Sequence, residues 1–153
     1  MNFLIIISLF FSLSNQESDV IGFEKVRTAY LKADQSHQNC KQLIELVQEF
    51  DTENNPIVYG YQLSSELMEI KFLTNPIKKL AIFNHVSQSL DSLINQHPTS
   101  VEIRLMRYAT QKEAPRFLNY NSEIENDLVF INKNLDSETE KTQRYIRYIL
   151  NNF

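Results

Sequence analysis

At 153 residues with a net charge of −4, two glycines, four prolines and one cysteine, the chain is the size of one domain and has little material for hairpin turns or phosphate-cradling loops. The mild acidity, with no basic tail, argues against a nucleic-acid or anionic-membrane surface as the main partner. Cys40 is the single cysteine, so packing rather than an internal disulfide must hold the fold.

The first element in chain order is an uncharged apolar run from Phe3 to Leu13, interrupted only by Ser8 and Ser12. It has the length of a signal-peptide core and is too short to span a bilayer. Ser12 and Ser14 suit a peptidase cutting between Ser14 and Asn15. Residues 1–14 are therefore read as a signal peptide and 15–153 as a single all-helical domain, periplasmic or secreted, with no stable membrane span after cleavage. The n-region, Met1 and Asn2, has only the charge of the terminal amine, which leaves an uncleaved anchor as the alternative. Cys40 lies too far downstream to carry a lipid.

Helix one is predicted over about Asp19 to Asp34, on Val20, Phe23, Val26 and Tyr30. Ser36 caps a second helix whose Cys40, Leu43, Ile44, Val47 and Phe50 share a face. Asn55-Pro56 and Asn75-Pro76 are cap-then-N1 pairs that start helices three and four, about 56 to 74 and 76 to 97. Helix five opens after Pro98 with Thr99 and Glu102 in capping-box spacing and stops before Pro115. Ser122 with Glu125 and Ser137 with Glu140 repeat the device for helices six and seven. Helix six carries the stripe Ile124, Leu128, Ile131 and Leu135, and helix seven has Tyr145, Tyr148 and Ile149 on one side. Seven helices in antiparallel hairpins make either a stack or an irregular bundle. Val86, Leu90, Leu93 and Pro98 echo the second helix and terminal proline of a tetratricopeptide repeat. The repeat's tryptophan is absent and Gly60 comes too early, so the expectation is a TPR-like hairpin stack and no more.

Helix five has two apolar faces, Val101, Leu105, Tyr108 and Ala109 on one and Ile103, Met106 and Thr110 on the other. Arg104, Arg107 and Gln111 run between them, so a helix sandwiched by its neighbours would hold two semi-buried arginines in need of acceptors. Helix three has the matching character, with Gln62, Glu66 and Glu69 between apolar faces. Stacked hairpins would bring these carboxylates to Arg104 and Arg107, either as a structural ion-pair network or as a polar groove for an anionic or peptide ligand. Phe117, Leu118 and Tyr120 make the loop after helix five too apolar to be solvated, and they are expected to plug the core between helices five and six, the rarer alternative being an exposed recognition loop.

The run Glu102 to Arg107, with Gln111, Pro115, Phe117-Leu118 and Tyr120, resembles an uncharacterised group of short exported helical proteins from Bacteroidota. Asn75-Pro76, Lys79-Leu80 and Phe83-Asn84 fit the same pattern, so the resemblance covers roughly residues 57 to 135. It implies an exported helical domain and supplies neither substrate nor catalytic residue.

His37, His85 and His97 lack metal-ligand spacing, and no cofactor-binding motif occurs. Cys40 lies on an apolar face and reads as a core thiol, although His37 is one turn away. The sequence thus favours a non-catalytic binding or scaffold domain for a protein or peptide partner. The alternatives are a small envelope hydrolase or thiol enzyme, built on His37 and Cys40 or on Glu66 and Glu69, and a purely structural envelope component.

Overall fold

The computed structural model describes residues 22–152, so the proposed leader and its cleavage site lie outside the described residues. The described residues form seven helices and no strand. They are α1 (22–33), α2 (His37–Gln48), α3 (Pro56–Glu69), α4 (Pro76–Gln96), α5 (Val101–Glu113), α6 (Ile124–Asn134) and α7 (Glu140–Leu150). Short 3-10 turns follow α3, α5 and α6.

Four helix starts follow from local chemistry. The side chains of Ser36, Asn55 and Asn75 each accept a backbone N–H of the first turn, and Pro56 and Pro76 sit where a missing N–H costs nothing. Ser100 does the same for α5, accepting from Ile103 N at 3.3 Å. This corrects the expected Thr99–Glu102 box: Glu102 is drawn into the interior by an arginine and cannot fold back over the helix start. The other two boxes are also displaced. Glu123 precedes α6 with no side-chain cap, Ser122 lying outside. Leu135 is buried in the 3-10 turn after α6, which carries the chain on to Ser137, so the extended break falls at Glu138 and Thr139 becomes the cap of α7.

Helices pack on their neighbours in sequence from α2 to α6, and α3 also packs on α5, which in turn meets α7. A Cβ at Gly60 would fall 2.5 Å from Met106 Sδ, so the missing side chain is what lets α3 and α5 approach closely. Helix α5 is sandwiched as its two apolar faces require, with Val101, Ile103, Leu105, Met106, Tyr108 and Ala109 all buried. Val26, Leu43, Val58, Leu90, Ile131 and Ile146 bring the remaining helices into the same core.

The loop after α5 does not plug the core as expected, none of its three apolar residues being fully buried. Phe117 is 80% exposed, contrary to expectation, and Leu118 is half-buried. Asn119 adopts the left-handed conformation (φ 51°, ψ 31°) that its short polar side chain tolerates, and it turns the chain back. Tyr120 then packs edge-on against Phe83 at 5.7 Å and donates its hydroxyl proton toward Asp91 and the Ser87 carbonyl.

Candidate functional site

The polar strip of α5 is paired, but with partners other than those expected. Arg107 grips Asp127 of α6 with two bonds, Nε to Oδ2 at 2.7 Å and Nη2 to Oδ1 at 2.8 Å, and reaches Asp91 of α4 through Nη1 at 2.9 Å. Arg104 donates to the same Asp127 Oδ1 at 2.9 Å and lies over the Phe130 ring at 4.1 Å. Asp127 is 0% exposed, so both guanidiniums compensate one fully buried carboxylate, with Glu123 completing the cluster at 3.8 Å from Arg107. Burial by itself would pull the Arg107 guanidinium down. The bonds to Asp127 and Asp91 outweigh it and hold the group above its ordinary value.

Helices α3 and α5 are neighbours as expected, yet Glu66 and Glu69 do not supply the acceptors; both are half-buried, and Glu69 acts electrostatically on the Cys40 thiol instead. The arginines point toward α4 and α6, where the half-exposed Asp91 and the fully buried Asp127 accept from them, and Asp127 has no other cation among the described residues to neutralise it. Gln111 continues the strip. It is 3% exposed, and its Oε1 has no hydrogen-bond partner among the described residues.

A second buried cluster was not expected. Glu102 clamps Arg27 of α1, Nε to Oε1 at 2.9 Å and Nη2 to Oε2 at 2.6 Å, and Arg27 also meets Glu24 at 2.8 Å. The Tyr61 hydroxyl donates to Glu102, and the Tyr61 and Tyr145 hydroxyls are hydrogen-bonded at 2.8 Å. Burial, first of all, and then each other's company and Glu102 push Tyr61 well above the ordinary phenol value. Burial does the same to Tyr145, helped by Tyr30 and Glu102. A readable signal existed: Glu102 falls at i, i+3, i+7 with Leu105 and Ala109, and Asp127 does so at the centre of Ile124 and Ile131. An acid on an apolar stripe has to bring a cation inside with it.

The two buried carboxylates, Glu102 and Asp127, each accept on both oxygens from guanidinium or hydroxyl donors, an arrangement that ties helices together. Cys40 is fully buried, its Sγ–H points to the Ser65 carbonyl at 3.7 Å, and burial with Glu69 raises its pKa, opposite to what activates a nucleophile. The His37 ring is stacked on Phe72 at 4.8 Å. Among the described residues no group of three or more His, Cys, Asp or Glu is placed to hold a metal ion, and no helix is long and apolar enough to cross a membrane.

What remains open is an apolar cleft of about 540 Å³. Tyr30, Phe83 and Tyr148 form its aromatic walls, Leu67, Met68 and Ile70 line it from α3 and the turn that follows, and the C-terminal end of α5 completes it. Its size is that of ordinary ligand and side-chain pockets. Comparison with protein-family models, with curated proteins and with solved structures finds no match to this chain.

Proposed function

We propose that the chain is an exported, non-catalytic helical domain that binds a protein or peptide partner in a TPR-like arrangement of hairpins. Export is supported by the Phe3 to Leu13 run with its serine cleavage site, and N-terminal sequencing of the native protein is expected to begin near Asn15. One observation carries the binding reading. The charged groups of the interior are satisfied by one another, whereas the aromatic-walled cleft presents apolar surface to solvent, beside the 54% exposed Tyr148. The proposed contact surface is therefore the cleft rather than the strip of Arg104, Arg107, Gln111, Glu66 and Glu69.

A photo-crosslinking amino acid at Tyr148 tests this in the native cell. Adducts are expected there, absent from the same substitution at Lys41 on α2, and suppressed when Thr110→Trp fills the cleft. No adduct at Tyr148, or adducts unaffected by the filling variant, would remove the cleft from consideration.

A further inference from the structure

The mouth of the cleft carries charge of one predominant sign. Asp34, at the end of α1, and Glu113, at the end of α5, both line it. The lining has one cation, Lys71, which meets Asp34 at 3.8 Å with both side chains about half exposed. A pair so long and wet is easily exchanged for another cation. Glu113 is exposed, and its neighbour Lys112 is held over the Tyr108 ring at 6.0 Å, outside the lining. The two carboxylates act on a common point, since after burial the charges of Asp34 and Glu113 are what raise the Tyr30 phenol above its ordinary value.

We propose that the cleft accepts a basic–apolar peptide segment of a partner protein, its aliphatic or aromatic side chains entering between Tyr30, Phe83 and Tyr148 and a flanking lysine or arginine lying between Asp34 and Glu113. This rests on the binding reading above and adds the chemistry of the occupant. The apolar walls supply contact area, and the acidic rim selects the sign of the flanking charge. An acidic segment would set like charges together, and a purely polar one would leave the apolar walls unfilled.

Fluorescence anisotropy on the purified protein, with labelled hexapeptides GKLFKG, GELFEG and GKSSKG, tests the assignment. GKLFKG is expected to bind at least about tenfold more tightly than either control, with the advantage over GELFEG shrinking as salt rises. Glu113→Gln is expected to weaken GKLFKG by about fivefold, and Lys71→Glu to tighten it by a similar factor, both residues being exposed enough to change without unfolding the domain. Thr110→Trp is expected to abolish binding. Equal binding of GKLFKG and GELFEG, preference for GELFEG, or indifference to Glu113→Gln and Lys71→Glu together would overturn the assignment. If no peptide binds while crosslinks still form at Tyr148, the occupant's chemistry is wrong and the cleft reading stands; loss of both removes the cleft itself.

Discussion

The two buried clusters on α5 are reversed versions of one device. At its N-terminal end a glutamate, Glu102, captures one arginine from α1; further along, two arginines, Arg104 and Arg107, capture one aspartate from α6. The difference lies in what balances the leftover charge. Around Asp127 the surplus cation is answered by Asp91 and Glu123, which are 45% and 39% exposed and can share the charge with water. Around Glu102 the single arginine is shared with the partly exposed Glu24, and the buried carboxylate is completed by the buried phenols of Tyr61 and Tyr145. The first cluster is thus sensitive to loss of its anion, the second to loss of its protons.

The largest expected effect is Asp127→Ala, which removes the anion that two guanidiniums share. Arg107 keeps the partly exposed Asp91 and Glu123, but the cluster's one fully buried anion is gone, so the domain should be destabilised by about 3 kcal/mol or more in urea denaturation. A cost below about 1 kcal/mol would show that the arginines relax to solvent and that the cluster does not bind α6 to α5.

Glu102→Gln comes next, at about 3 kcal/mol, because Arg27 loses its buried charged partner and keeps only the partly exposed Glu24, while Tyr61 keeps a weak acceptor. The same region governs behaviour at alkaline pH. Tyr61, Tyr145 and Tyr30 have folded values above the ordinary phenol value of about 10 that the unfolded chain adopts. Below that pH both states hold their protons and the contribution is complete. Above it the unfolded state releases protons that the folded state retains, so stability falls as pH rises. Phenolate absorbance at 295 nm from these residues should therefore appear together with loss of the helical signal at 222 nm. Their ionisation in a fully helical protein would contradict the sealed arrangement.

Tyr61→Phe should cost about 1–2 kcal/mol, the value of a hydroxyl bonded to a buried carboxylate. Asp91→Ala should cost less than about 1 kcal/mol, being partly exposed. A double-mutant cycle separates the observed pairing from the expected one. Arg107→Ala with Asp127→Ala should depart from additivity by more than about 0.5 kcal/mol, whereas Arg107→Ala with Glu66→Ala should add within that margin.

Much of this molecule was legible from sequence for local reasons. Caps at Ser36, Asn55 and Asn75 and the prolines after two of them act within one helical turn, so the spacing alone announces them. The two-sided burial of α5 followed from its periodicity in the same way. Thr99, Ser122 and Ser137 failed as caps although their spacing was right: Glu102 was claimed by an arginine 75 residues away, and a buried Leu135 shifted the last helix start.

The sequence by itself determined seven helices, their order, a demand for acceptors on Arg104 and Arg107, and the single buried thiol, because periodicity, capping and charge on an apolar helix are properties of short stretches of chain. Only the tertiary structure decided which acids answer which arginines, that Phe117 faces solvent while a half-buried Tyr120 packs on Phe83 and reaches Asp91, and that a cleft opens among the ends of α1, α3, α5 and α7. Those outcomes depend on which faces of distant helices meet, and a buried charge takes the nearest unneutralised partner in space, wherever it lies in the chain.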